Sequence, residues 1–188
     1  MNIENFTPQI YSFEEIFQRQ KELKFLYEPE SKEIYANFDI DCYEDQEYFK
    51  KVCWRITEEL MEALEDQKNT NHFKEELIDG FNFLMELYLM YDWGPNKLSF
   101  NVQPIKHDLS YSVLKVIYQL GITANCLKNR QWRRSQYLVD LLVFETRLKQ
   151  IWENYLCIFY YLGMSQADIA AMWSLKYQVN LFRINSNY

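Results

Sequence analysis

Trp54-Arg55-Ile56-Thr57-Glu58-Glu59-Leu60-Met61-Glu62 and Glu75-Glu76-Leu77-Ile78-Asp79-Gly80-Phe81 stand on either side of a turn-rich break, Gln67-Lys68-Asn69-Thr70-Asn71. Apolar residues recur at helical spacing through both stretches, which predicts one helix over about 46–66 and another over about 72–92. Glu59 and Glu62 are three residues apart, and so are Glu76 and Asp79. That spacing puts both carboxylates of a pair on one helix face. Leu60, Met61 and Leu64 flank the first pair; Leu77, Ile78, Phe81 and Leu84 flank the second. The acids therefore sit at the edge of an apolar stripe, where an unpaired charge is costly.

If the two helices lie side by side, four carboxylates converge. Such a cluster repels itself unless cations neutralise it. Arg55, one turn before Glu59, is one partner; Lys74 is the nearest cation to the second pair in sequence. Two cations do not balance four acids. An oxygen-only ligand set suits Mg²⁺ or Mn²⁺ rather than zinc, and Mg²⁺ takes phosphate oxygens as further ligands. An isolated E-x-x-E is more often a solvated helix face; the second pair and the flanking apolar residues separate this chain from that case.

Outward from this stretch, the remaining chain also reads as helix. Gly and Pro number only 4 each, which argues against a many-turned β fold. Ser12-Phe13-Glu14-Glu15 has the form of a capping box opening a helix to about Tyr27. Residues 28–45 are polar and acidic and read as loop or short turns. After a loop over 93–108, Asp108 or Ser110 caps a helix to about Lys128, with Val113, Leu114, Ile117 and Leu120 on its apolar face. A long aromatic helix is expected over about 131–162, ended by Gly163. Ser165-Gln166-Ala167-Asp168 caps a last helix to about Arg183. The expectation is an all-α bundle of about six helices in a single domain, 1–188. At 48% hydrophobic residues, 188 residues bury a sizeable core.

The net charge of −7 disfavours non-specific binding to nucleic acid or an anionic membrane. Cys42, Cys53, Cys126 and Cys157 form no C-x-x-C pair and read as reduced thiols. The N-terminus has no signal-peptide pattern, and no apolar run approaches the ~18 residues of a membrane span. A cytoplasmic protein is expected.

The pattern E-E-x-x-E, then E-x-x-D, resembles the all-α nucleoside triphosphate pyrophosphatases of the MazG-like superfamily. Glu76-Leu77-Ile78-Asp79-Gly80-Phe81-Asn82-Phe83-Leu84 is similar to the E-L-V-D-x-x-H-F-x-L of the dimeric dUTPases and the related phage dCTPase-dUTPase enzymes. Lys176-Tyr177-Gln178-Val179-Asn180-Leu181-Phe182-Arg183, running on to Tyr188, resembles their ending, K-x-x-x-N-x-x-R-Q-D-x-G-Y. The resemblance implies a homodimer and Mg²⁺ held by Glu59, Glu62, Glu76 and Asp79. It implies a triphosphate contacted by Lys176, Asn180 and Arg183, with Tyr188 closing over it. Those three residues fall at i, i+4 and i+7, one helix face, and pair a point charge with a planar fork for phosphate. The expected reaction is hydrolysis of a deoxynucleoside triphosphate to the monophosphate and pyrophosphate, with Glu62 taking the proton of the attacking water and Glu59 beside it.

Base identity stays open between dUTP, which the C-terminal resemblance favours, and dCTP. Asn82 stands where the branch usually has His, and Ile184, Asn185 and Asn187 replace its Gln, Asp and Gly. A glutamine on the first helix contacts the nucleoside in this branch; Gln20 is the candidate here, with Gln18 second. Two other readings differ in class. One is a helical interaction protein that keeps the fold without catalysis. The other is nucleic-acid binding through Arg130, Arg133 and Arg134, which the net charge opposes.

Overall fold

The computed structural model describes residues 6–65, 68–102 and 108–186. Among them are seven α-helices and no strand: α1 (Phe13–Tyr27), α2 (Ser31–Asn37), α3 (Tyr43–Glu65), α4 (Thr70–Met90), α5 (Leu109–Ala124), α6 (Leu141–Tyr161) and α7 (Gln166–Asn185), with a 3₁₀ turn at Pro95–Lys97. The caps expected from the sequence form. Ser12 and Glu15 make a reciprocal capping box on α1, and Ser165 and Asp168 make another on α7. Asp108, rather than Ser110, caps α5; Asn69, read from the sequence only as part of the break, caps α4. Gly163 ends the region after α6 at φ 73°, a left-handed conformation that favours glycine.

α4 is the central helix. It packs along α3 and also touches α1, α2 and α7, while α5 packs on α6 and α3. Its contact with α6 runs through large side chains. The Phe81 ring lies 5.5 Å from Trp152, 6.1 Å from Tyr155 and 5.6 Å from Phe159. Buried hydroxyls tie the two helices: Tyr88 donates to the Leu148 carbonyl and Tyr155 to the Leu77 carbonyl, each at 2.8 Å. These rings are the interior of the bundle, and their number reflects a core built by aromatic packing.

The structure differs from the sequence expectation in five places. Residues 28–45 contain α2, whose Tyr35 is buried against Phe25; seven polar-leaning residues carry too little periodicity to announce a helix that tertiary contact supports. The helix expected over 131–162 begins only at Leu141, capped by Asp140. The preceding backbone is held by side chains instead. Asn129 donates to the carbonyls of Asp41 and Tyr137 and accepts from the Tyr137 N–H, and Asp41 accepts from the Val139 N–H. These bonds satisfy groups that a helix would otherwise pair. α5 stops at Ala124, before Lys128. Leu114, expected on the apolar face of α5, is 53% exposed, and Val116 is buried in its stead. Met61 also points outward, while Leu60 is buried. No described helix is long and apolar enough to cross a membrane, and no disulfide joins the four cysteines.

Candidate active site

Four helices meet around one cleft of about 500 Å³. α1 contributes Gln20, Leu23, Lys24 and Tyr27, and Glu28 follows at its C-cap. α3 contributes Arg55 and Glu59; α4 contributes Asp79, Asn82, Phe83 and Glu86; α7 contributes Lys176, Asn180 and Arg183. On α4 the three polar positions Asp79, Asn82 and Glu86 follow spacings of three and four, so one face of that helix supplies an acid, an amide and a second acid to the cleft.

Glu59, Glu62 and Glu76 converge, one carboxylate oxygen from each lying within 4.8 Å of the others. Glu59 belongs to both this cluster and the cleft lining, so the two adjoin. Asp79 is outside the three-acid cluster and forms an ion pair with Lys176 of α7. The close approach of α3 and α4 here depends on Gly80. A Cβ on Gly80 would collide with the Tyr155 hydroxyl and lie 3.3 Å from the Glu59 Cβ.

The electrostatics reflect crowding of acids in a partly dry place. Burial raises the Glu59 carboxyl to about 7, reinforced by the charges of Asp79, Glu62 and Glu76 and opposed by Arg55. Burial also raises Glu76, with Asp79 adding and His72 and Lys176 opposing. Asp79 is raised as well; its burial outweighs the Lys176 partner. Arg55 is the cation expected beside Glu59, at 3.5 Å, and it also binds Glu58 at 2.6 Å. The expectation that Lys74 is the nearest cation to the second pair is corrected. Lys176 reaches Asp79 from another helix, and the His72 Nδ1 lies 3.4 Å from Glu76. Sequence distance hid Lys176, which lies almost a hundred residues further along the chain.

Of the residues singled out from the sequence, Gln20, Glu59, Asp79, Asn82, Lys176, Asn180 and Arg183 line the cleft, and Glu62 and Glu76 lie in the adjoining cluster. Tyr188 lies outside the described residues. Gln18 is not in the cleft; its amide binds Glu22 on the outer side of α1. Gln20 is 3% exposed.

Several residues of the site escaped the sequence reading. Lys24 and Glu86 form a buried ion pair at 2.9 Å, with Glu28 3.2 Å from the same ammonium. Desolvation works against the Lys24 charge, but Glu86 outweighs it and holds the group protonated. The Trp173 indole donates to the Asn82 Oδ1 at 2.8 Å, and Tyr27 donates to the Asn180 carbonyl. The Lys24-x-x-x-Glu28 spacing was visible as an i, i+4 pair, but it reads as surface decoration until Glu86 is brought beside it.

The arrangement is an acidic cluster at one end, a Lys-Asn-Arg face from α7 alongside, and a polar floor of amides and one ion pair. Three oxygen donors, partly desolvated and mutually repelling, fit a hard divalent cation by charge and by donor type. A family model described as dUTPase matches residues 12–188. No curated protein and no solved structure gives a significant match. The all-helical fold and a match over nearly the whole chain agree: the chain belongs to the all-α, MazG-like dUTPase family and is a dUTP diphosphatase-like hydrolase.

Proposed function

We propose that this protein is a Mg²⁺-dependent pyrophosphohydrolase of a pyrimidine deoxynucleoside triphosphate, with dUTP preferred. The observation that carries this reading is the shared cleft. The acidic cluster adjoins the same cavity that Lys176, Asn180 and Arg183 line from α7 and that Gln20 and Asn82 line from α1 and α4. Glu59, Glu62 and Glu76 would hold Mg²⁺, with Asp79 completing the set. The ion supplies neutralisation of the triphosphate and acidifies the attacking water.

The chain's own residues account for the rest. Lys176 and Arg183 bind phosphate oxygens, and Asn180 donates from the same face. Water attacks the α-phosphorus, its proton goes to the Glu62 carboxylate, and the bond to the β-phosphate oxygen breaks. The products are the nucleoside monophosphate and pyrophosphate, whose charge Lys176 and Arg183 stabilise as it leaves. Glu59, whose carboxyl is raised to about 7 by burial and the neighbouring acids, would be held as the carboxylate by the cation it ligates.

Residues 1–188 act as one catalytic domain in this reading, and the enzyme is a homodimer. Supporting the dimer, Leu114 and Tyr118 on α5 and Leu138 and Leu142 around the start of α6 are exposed apolar side chains, with Leu142 at 78%. dCTP or a modified deoxynucleoside triphosphate is the second substrate reading, since the chain also resembles the phage dCTPase-dUTPase enzymes. A non-catalytic interaction protein is the alternative class.

The test is pyrophosphate release from dUTP, dCTP, dTTP, dATP, dGTP and UTP, with Mg²⁺ and with EDTA. Mg²⁺-dependent release from one pyrimidine deoxynucleotide is expected. Silence on the whole panel, together with no thermal stabilisation by Mg²⁺, removes the catalytic reading.

A further inference from the structure

One amide of the cleft has its polarity set by a neighbour that can bond in only one sense. The Trp173 indole carries a donor and no acceptor, and it donates to Asn82 at 2.8 Å. The end of Asn82 it contacts must therefore be the oxygen, which leaves the amide N–H₂ as the other end. Trp173 is fully buried and stacked 5.0 Å from Tyr177, so its ring is held in place. Asn82 lines the cleft with Gln20 and the Lys24–Glu86 ion pair.

We infer that Trp173 is a positioning residue for base selection, fixing Asn82 as a donor in the cleft. This rests on the proposed function and names a residue behind its specificity. A donor matches the C4 carbonyl of uracil, an acceptor, and opposes the C4 amine of cytosine, a donor. Were the amide free to rotate by 180°, it would accommodate both bases, so the discrimination lies in the residue that prevents rotation.

The experiment measures affinity for the non-hydrolysable α,β-imido analogues of dUTP and dCTP, and for inorganic tripolyphosphate, in the presence of Mg²⁺. The proteins are the wild type, Trp173→Phe and Asn82→Ala. Trp173→Phe keeps an aromatic ring and removes the single N–H. The wild type is expected to favour the uracil analogue at least tenfold. In Trp173→Phe that preference should fall to threefold or less, while tripolyphosphate affinity stays within twofold. Asn82→Ala should lose the preference as well, and decides alone if Trp173→Phe does not fold. Three results overturn the inference: a wild-type preference for cytosine or for neither base, an unchanged preference in Trp173→Phe, or a parallel loss of tripolyphosphate affinity. Because binding is read without turnover, failure here is distinct from failure of the proposed reaction, which the pyrophosphate panel reports separately.

Discussion

Gly80→Ala tests the packing that brings the two acidic helices together. In an ordinary exposed helix this change stabilises by about 1 kcal/mol, because alanine is the better helix former. Here the added methyl meets the Tyr155 hydroxyl and crowds the Glu59 Cβ at 3.3 Å. Tyr155 is fully buried, with its ring against Phe81 and Phe159, so it has no free volume to retreat into. Overpacking of this kind costs about 1–3 kcal/mol. Displacing the hydroxyl also breaks its bond to the Leu77 carbonyl, a further loss of about 1 kcal/mol. Set against the propensity gain, the net is a destabilisation of about 2 kcal/mol, which for a chain of this length lowers Tm by about 4–8 °C.

The assay is urea denaturation of the wild type, Gly80→Ala, Tyr155→Phe and the double variant. Removing the hydroxyl relieves the collision, so the double variant should be more stable than the two single losses summed, by a coupling of about 1 kcal/mol or more. Separation of α3 from α4 also spreads the carboxylates, so pyrophosphate release should fall in Gly80→Ala and partly recover in the double variant. A Gly80→Ala protein as stable as the wild type, or a coupling near zero, would refute the reasoning.

Three further outcomes are expected. Glu62→Gln should lower kcat by about a hundredfold or more, the scale of lost general-base catalysis, with an unchanged helical circular-dichroism spectrum; near-wild-type turnover would remove Glu62 as the base. In EDTA, the Glu59 contribution to stability should follow its raised carboxyl, being fully present below 4.5 and lost as pH rises through about 7. Tm should therefore decline between pH 5 and pH 8, Mg²⁺ should restore more at pH 8 than at pH 5, and Glu59→Gln should flatten the decline; a profile in EDTA that rises across this range contradicts the site electrostatics. Lys176→Met should raise KM for the triphosphate about tenfold, the scale of one charge-assisted contact, and an unchanged KM would place the Lys176–Asp79 pair in a structural role.

Much of this molecule is local, and the local part was legible. Capping at Ser12, Asp108 and Ser165 uses bonds between residues three apart, so these helix starts follow from short stretches of chain. The same holds for the acidic pairs and for Lys176, Asn180 and Arg183, whose common faces follow from helical periodicity alone. A residue three positions from its partner has nowhere else to go once the helix forms.

What needed the folded chain was everything set by distant partners. The backbone before Leu141 is non-helical because Asp41 and Asn129 bond it, and no local pattern there reports those residues. The ion pair of Lys24 with Glu86 joins α1 to α4, and that of Asp79 with Lys176 joins α4 to α7. The sense of the Asn82 amide is set by an indole ninety-one residues away in sequence. Periodicity assigns a residue to a face, whereas the depth of a charge and the direction of an amide depend on which other faces close over it. That is why the sequence by itself determined the helices and the acids they carry, and only the tertiary structure decided which acids cluster, which are neutralised by a cation, and which polar atoms of the cleft remain to meet a ligand.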